Sequence, residues 1–365
     1  MILKNLSLLN FKNYRDANFK FSPQINCLTG NNGSGKTNVL DAIYYLSFCK
    51  SYFNAIDSQN IFHDEQFFVV EGSFENEEET DKIYCGVKKG QKKIFKRNNK
   101  KYDKLSDHIG SYPAVIISPS DKDLVNEGSE VRRKFIDGVI AQYDKRYLEA
   151  LLKYQKTLSH RNHLLKYFWE NRTFDKDQIE IWNEQIVVLG NMIYKSRKNF
   201  IQDFKPLFER IYKIVSGGAE TVDLQYESQL QSDDFSNLLI NAAAKDRSRQ
   251  RTTVGIHKDD LIFTIKGYPM KKFGSQGQQK SFVIALKLAQ FEFISNQTGK
   301  KPILLLDDIF DKIDGMRLEY LLELVSDKKF GQIFITDTDQ DRIVRTFREL
   351  DVDFESYIIE QGAIV

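Results

Sequence analysis

Lys36 and Thr37 close the stretch "GNNGSGKT" that begins at Gly30, and Asp307 and Asp308 close the apolar run that begins at Ile303. An ammonium, a hydroxyl and two carboxylates are the groups needed to hold a nucleoside triphosphate together with a hard divalent cation. The first stretch fits G-x-x-x-x-G-K-[ST]. Gly30, Asn31, Asn32, Gly33, Ser34 and Gly35 form a loop whose backbone N–H groups can line a concave anion nest. Lys36 would carry its charge to the terminal phosphates and Thr37 would ligand Mg²⁺, while Asn38 completes the set at the start of the next helix. The bare string arises by chance in roughly one chain of this length per hundred, so its setting matters. Ile25–Thr29 reads as a short buried strand and Asn38–Phe48 as an apolar-rich helix. A strand, a glycine loop and a helix N-terminus in that order are what phosphate cradling requires.

The second stretch, "KPILLLDDIFDKID", reads as a strand over Ile303–Leu306 that is buried on both faces. It would deliver Asp307 and Asp308 at its C-terminal edge, where α/β sheets place ligands. Asp307 is expected to orient Mg²⁺ through its water shell, and Asp308 to position or deprotonate an attacking water. Two acids after a strand can also cap a following helix, but behind a phosphate loop in the same chain they read as a catalytic pair. Lys36 and Asp308 are therefore the candidate catalytic residues, Thr37 and Asp307 the metal ligands, and ATP with Mg²⁺ the expected cofactors. A further glycine stretch, "GSQGQQK", leads into an apolar helix. Ser275, Gly277 and Gln278 make it a second candidate contact for a nucleotide, although read alone it is an ordinary helix cap.

Elements of two kinds must position these groups. Residues before about position 120 read as strands and turns, with nine Lys or Arg between Lys88 and Lys104 on a hairpin expected to turn at Asn98–Asn99. From about Val131 the pattern becomes helical. Leu148, Leu151, Leu158 and Leu165 fall at coiled-coil spacing, interrupted by Gln155 and Asn162. Ile179, Trp182, Ile186, Leu189 and Ile193 repeat the spacing, and Phe200, Phe204 and Phe208 extend it to Pro206, which should kink or end the helix. The result would be an arm of two antiparallel helices, closed by "SGGAE" at Ser216–Glu220. Beyond it Arg247, Arg249 and Arg251 alternate before an expected strand, and His257 reads as a structural hydrogen-bonder. Either basic cluster could track a phosphate backbone or lie on a solvated face.

The chain has 365 residues, 41% of them apolar, 28% charged, with a net charge of +2. That describes two domains, or one large domain with an insertion, and gives no global affinity for polyanions. No apolar run reaches the ~18 residues of a membrane span, and the N-terminus carries no secretory pattern. Three cysteines without metal spacing point to reduced thiols and a cytoplasmic protein.

In their order, the glycine loop, the Ser-x-Gly-Gln helix start and the Asp-Asp strand resemble the ABC-type ATPase heads shared by transporters and chromosome-maintenance proteins. Ser275 follows Gly30 by 245 positions, an insert of intermediate size. With "LLNFKNYRDANFKF", "IISPSDKDLVNEGSEVRRKFID" and "VGIHKDDLIF", the whole chain is similar to the RecF family of bacterial DNA replication and repair proteins. The resemblance implies an α/β fold: a P-loop ATPase head of two lobes with an inserted antiparallel helix-hairpin arm. It implies lobe I with the glycine loop over 1–120, the arm over 121–250, and lobe II with the serine signature and the Asp-Asp strand over 251–365. It implies a homodimer closing around ATP on duplex DNA or single/double-strand junctions, recombinational repair, and cooperation with RecO and RecR in loading RecA. Asp308 stands where such heads more often carry glutamate, which points to a weak, DNA-stimulated ATPase. Lys12 stands where an arginine would be expected, no switch histidine follows the late strand so that Thr336 or Asp337 would have to serve, and no hinge glutamine precedes the arm. A transporter-energising subunit is disfavoured by the helical insert. An ATPase of the same head type serving a defence or nuclease complex is the other reading, distinguished by dependence on a nuclease partner.

Overall fold

Period-2 and period-3.6 patterns sort the chain into the elements of a computed structural model. It describes residues 1–76, 79–218, 220–309, 330–339, 341, 345, 347 and 353–365. The first half runs β1 (Ile2–Phe11), β2 (Tyr14–Lys20), β3 (Ile25–Thr29), α1 (Lys36–Phe48), β4 (Phe67–Asn76), β5 (Glu79–Lys88), β6 (Ile94–Arg97), β7 (Lys100–Lys101) and β8 (Ala114–Ile117). Helices α2 (Asp123–Asn126), α3 (Ser129–Ile140), α4 (Lys145–Glu170) and α5 (Lys176–Val215) follow. Then come β9 (Val222–Glu227), α6 (Phe235–Arg249), β10 (Asp260–Ile265), β11 (Tyr268–Pro269), α7 (Met270–Phe273) and α8 (Gln276–Thr298). The last are β12 (Ile303–Asp307), β13 (Ile333–Asp337), β14 (Phe354–Glu360) and β15 (Ala363–Ile364).

Contacts divide the chain into one unit of Met1–Asp121, Ile214–Gly218 and Ile284–Val365, and a second of Lys122–Lys213 and Ala219–Val283. The first unit holds two six-stranded sheets, ordered β2-β1-β4-β5-β6-β7 and β15-β14-β3-β13-β12-β8. In the latter, β14, β3, β13, β12 and β8 are parallel neighbours. Strands β3, β12 and β13 are buried at every position, as parallel strands covered on both faces must be. Helix α1 buries Val39, Leu40, Ala42, Ile43, Tyr45 and Leu46 within one apolar cluster that also takes in both sheets. A helix apolar on most of its circumference belongs inside a core, and this fixes the direction in which its N-terminus points.

The second unit carries a three-stranded antiparallel sheet, β11-β10-β9, and the paired helices α4 and α5. Thr157 meets Gln185, Arg161 meets Asn183, and Leu165, Phe168 and Ile179 cluster, so the two helices run antiparallel as expected. The buried face of α4 is Tyr147, Ala150, Leu151, Tyr154, Thr157, Arg161, Leu165 and Phe168, so Leu151 and Leu165 of the leucine spacing are buried while Leu148 and Leu158 are only half-buried. Arg161 takes a core position because Asp246 accepts from its Nη1 at 2.7 Å and Asn183 from its Nε at 2.8 Å. Helix α5 does not end at Pro206. The proline is exposed, so the missing N–H falls on the solvent side while Phe204, Phe208, Ile211 and Tyr212 continue the buried face to Val215. Arg247 and Arg249 belong to the last turn of α6, and the strand expected next begins only at Asp260. Gln250 adopts the left-handed conformation that terminates the helix between them.

Among the described residues no helix is long and apolar enough to cross a membrane. Cys27, Cys49 and Cys85 are buried free thiols.

Candidate nucleotide-binding site

The parallel register carries the C-terminal ends of β3, β13 and β12 to one sheet edge. Thr29 lies beside Asp337, and Thr336 lies beside Asp307. The glycine loop leaves this edge from β3 and enters α1, bringing Lys36 and Thr37 to the carboxylates of β12 across 270 residues of sequence. The Thr37 hydroxyl donates to Asp307 Oδ1 at 2.7 Å, and Thr336 Oγ1 donates to the same oxygen at 2.9 Å. The Asp308 N–H in turn donates to Thr336 Oγ1 at 2.9 Å. Asp308 itself has φ of 48°, a conformation disfavoured for a residue with a Cβ and the kind of local strain found at functional sites.

Lys36 is almost wholly buried, and its Nζ donates to the carbonyls of Gly30 at 2.6 Å and Asn31 at 2.9 Å. Burial pulls its ammonium below the ordinary lysine value, against the opposing pull of Asp308, Asp307 and Asp337. Burial raises the Asp307 carboxyl, while hydrogen bonds from Thr37 and Thr336 work to lower it. Such a desolvated group of mixed charge is poised to gain from an incoming cation and polyanion together.

The loop is held from outside. Asn13 Nδ2 and the Gly362 N–H both donate to the Ser34 carbonyl at 2.9 Å, and the Tyr14 hydroxyl donates to the Gly35 carbonyl at 3.1 Å. Asn38 Nδ2 closes the brace on Asn13 Oδ1 at 2.7 Å. These bonds fix the carbonyls of the loop, whose Ser34 N–H turns in on the Asn31 carbonyl at 3.2 Å. A Cβ on Gly30 would stand 2.2 Å from the Ile359 carbonyl, and one on Gly35 2.6 Å from Asn13 Nδ2. At φ of 142° and 121° neither position accepts a side chain. Ser34 Oγ is buried without a hydrogen-bond partner, a polar group left for a ligand to satisfy. Hard oxygen donors at Thr37 and Asp307 suit Mg²⁺, which takes one or two protein oxygens and completes its shell with phosphate and water. No cluster of three or more His, Cys, Asp or Glu able to hold a metal occurs among the described residues.

Sequence reasoning did not find the brace. Asn13 and Tyr14 stand within the quoted N-terminal stretch, and Gln361-Gly362 between "YIIE" and "AIV" is a short-hairpin signal. With φ of 48° and 79°, it forms the turn of the β14–β15 hairpin beside the loop. Of the two switch candidates, Thr336 bonds both aspartates, whereas Asp337 is fully buried and accepts from the Asp339 N–H at 2.8 Å. Lys12 pairs with buried Asp41 of α1 at 2.6 Å.

The second candidate lies in the other unit. The Ser275 N–H donates to Gln278 Oε1 at 2.7 Å while the Gln278 N–H donates to Ser275 Oγ at 3.2 Å, a reciprocal capping box at the start of α8. Ser275, Gln276 and Gly277 are exposed. Of the basic residues on the β5–β7 hairpin, Arg97 forms a bidentate pair with buried Asp81 and Lys93 pairs with Asp57 at 2.8 Å. Lys88, Lys89, Lys92, Lys100, Lys101 and Lys104 stay exposed, and the hairpin turns at Asn98–Asn99, both at positive φ. Arg247 packs over the Phe174 ring at 4.2 Å, and Arg249 and Arg251 are exposed. His257 is structural: its Nε2 meets the Thr252 carbonyl at 3.1 Å and its Nδ1 the Tyr154 hydroxyl at 2.9 Å.

Comparison with known proteins places these features in context. The family model described as RecF/RecN/SMC N terminal domain matches residues 2–356. The DNA replication and repair protein RecF of Flavobacterium johnsoniae is 55% identical over 94% of this chain and 95% of its own. That of Phocaeicola vulgatus is 47% identical over 100% and 98%. A solved structure of the recombination mediator protein RecF-ATP in the RecFOR pathway superimposes with a TM-score of 0.90 at 31% identity, covering 100% of this chain and 97% of that one. An Smc head bound to the winged-helix domain of ScpA shares the fold at a TM-score of 0.59 and 16% identity.

Proposed function

The chain belongs to the RecF family of DNA replication and repair proteins, and from that premise we propose that it is an ATP-gated DNA-binding protein of recombinational repair in the RecFOR pathway. The observation that carries the reading is the single sheet edge on which Lys36, Thr37, Asp307 and Asp308 meet beneath a braced glycine loop. In this reading the backbone of Gly30–Asn38 and the Lys36 ammonium hold the phosphates of ATP, and Thr37 with Asp307 would hold Mg²⁺. Asp308 positions the attacking water, with Thr336 setting its backbone. Hydrolysis is slow, and nucleotide binding rather than turnover does the work. Ser275, Gly277 and Gln278 of one protomer dock on the nucleotide held by the other, so ATP closes a homodimer. Residues 1–120, 121–250 and 251–365 act as first lobe, arm and second lobe of each head. RecR and RecO act with the closed form in a cytoplasmic repair complex.

Closure around ATP would bring two basic surfaces to one duplex, and that can be read through salt. The slope of log K against log[salt] is about −0.9 per phosphate neutralised, so it should steepen toward a doubling when ATP replaces ADP on one short duplex. Light scattering under the same conditions should report a monomer in ADP and a dimer in ATP. Equal slopes in the two nucleotides would overturn the gating.

A further inference from the structure

The C-terminal end of helix α5 is bonded to the serine signature through one carboxylate. Tyr212, on the last turns of α5, is 1% exposed, and its hydroxyl donates to Glu220 Oε2 at 2.8 Å. Gly217 and Gly218, at φ of 69° and 82°, turn the chain at the end of α5 and bring Glu220 back to a residue eight positions earlier. The other carboxylate oxygen, Oε1, accepts from Gln278 Nε2 at 2.5 Å. An ionised carboxylate can only accept, so the Gln278 amide must turn its NH₂ to Glu220 and its oxygen to the Ser275 N–H. That orientation is the one the capping box needs, with the Gln278 N–H donating back to Ser275 Oγ. The chain of bonds is continuous from Tyr212 through Glu220 and Gln278 to Ser275. Beside it, the first turns of α8 rest on α5 through Phe282, whose ring lies 4.8 Å from Phe208 and 6.0 Å from Tyr212.

We propose that Glu220 is a positioning residue through which helix α5 sets the orientation of the Ser275–Gln278 signature. The proposal rests on the reading that this signature docks on a partner's nucleotide. A helix of 40 residues is about 60 Å long at 1.5 Å per residue, so α5 carries a displacement along the arm to Tyr212 as a single body. Glu220 passes that displacement to Gln278. A charge-assisted bond to Glu220 fixes one amide orientation, and losing it frees Gln278 to rotate and release the Ser275 N–H. Glu220 itself lies outside the glycine loop, so its contribution falls on closure of the dimer and not on the first binding of ATP.

The test uses the full chain and three variants, Glu220→Ala, Glu220→Gln and Tyr212→Phe, with ATP affinity measured at concentrations where the protein is monomeric. ATP-dependent dimerisation is then followed by analytical ultracentrifugation. Glu220→Ala should weaken the dimer roughly tenfold, the scale of one hydrogen bond to a charged group, with monomer ATP affinity unchanged. Glu220→Gln keeps an acceptor for Gln278 and a polar partner for Tyr212, and should restore most of the loss. Tyr212→Phe should weaken the dimer less, and Tyr212→Phe with Glu220→Ala should be no worse than Glu220→Ala alone. Wild-type dimerisation of Glu220→Ala overturns the relay, as does equal impairment of both Glu220 variants beside an unaffected Tyr212→Phe. Should Glu220→Ala fail to fold, Tyr212→Phe decides alone, because removing one hydroxyl leaves the packing intact. Ser275→Arg separates this inference from its premise. If it still dimerises with ATP, the docking reading is wrong, and if it is blocked while Glu220→Ala is not, only the relay falls.

Discussion

Helices α1 and α8 both begin at glycine-containing loops, and they begin differently. Helix α1 starts behind Gly35, at φ of 121°, and no side chain caps it. Helix α8 starts inside a reciprocal capping box, in which Ser275 and Gln278 satisfy each other's N–H groups. An uncapped helix start leaves N–H groups of its first turn for a ligand, and the macrodipole favours a negative one. A capped start has already met that need from its own sequence. The difference teaches that, of these two, α1 is the start left open to an anion in the isolated chain. The α8 start is a finished surface, exposed at Ser275 and Gly277.

The sharpest way to break that contrast is at Lys36. In the structure its ammonium spends both hydrogen bonds on the Gly30 and Asn31 carbonyls, contacts that can be exchanged for phosphate oxygens. Lys36→Ala should lower ATP affinity about a thousandfold, roughly 4 kcal/mol for two charge-assisted contacts. The melting temperature should stay near that of the parent, since both carbonyls lie in the loop rather than within a helix or sheet. Isothermal titration with ATP and a thermal scan check the two halves. Normal affinity would move the nucleotide away from α1 altogether.

Much of this site was legible in the sequence, and the reason is physical. Phosphate binding needs a fixed spacing of glycines and one lysine, so Gly30–Thr37 could be read without a fold. Strand β12 was legible because burial on both faces demands an unbroken apolar run, and Asp307 ends it as expected. The brace was not. Asn13, Tyr14 and Gly362 act from 21 to 328 residues away from the carbonyls they hold, and no local pattern marks such pairs. The arm was legible in part. Leu151 and Leu165 on α4 and Ile179, Ile186 and Ile193 on α5 are buried as their spacing predicts. Tyr147, Tyr154 and Arg161 share the buried face because each finds a polar partner inside: Asp137 for Tyr147, His257 for Tyr154, and Asp246 for Arg161. Arg197 does likewise, its guanidinium on Asp137 and Asp259 at 2.9 and 2.8 Å. Hydropathy cannot announce a charge that is buried only because its counter-charge is buried too. Phe310 and the rest of "FDKID" lie outside the described residues.

The units can also be compared through two histidines, fully buried His108 and half-buried His257, which are bonded alike. His108 in the first unit meets the Leu46 carbonyl through Nε2 at 2.6 Å and the Tyr102 hydroxyl through Nδ1 at 3.1 Å. His257 in the second repeats the arrangement with Thr252 and Tyr154. A carbonyl can only accept, so Nε2 carries the proton and Nδ1 accepts from tyrosine, which is the neutral ring. Burial pushes both down to about 4 from an ordinary 6.5. A base whose folded value lies below its unfolded value binds more protons when unfolded, so stability falls as pH drops from 6.5 toward 4. Between pH 7 and pH 5 each histidine should cost about 2 kcal/mol of folding free energy. Denaturant unfolding across that window, repeated on His108→Gln and His257→Gln, should show each variant losing its share of the slope. A flat profile in the parent would mean that neither ring is neutral by burial.

The smallest expected effect returns to the two helix starts. Ser275→Ala removes the hydroxyl that accepts from the Gln278 N–H and should cost about 1 kcal/mol of stability, the usual worth of an N-cap. Helix α1 has no such cap to lose, and its stability should instead rise with bound nucleotide. By linkage, ATP at a hundred times its dissociation constant should stabilise the protein by about 2.7 kcal/mol. That gain should be the same in Ser275→Ala and in the parent, because the serine lies outside the glycine loop proposed to hold the nucleotide in the monomer. A thermal scan at low protein concentration with and without ATP measures both effects at once. If the ATP-dependent gain shrank in Ser275→Ala, the signature would already be contributing to nucleotide binding within one chain. The division of labour between the two helix starts would then be wrong, whatever the cap itself is worth.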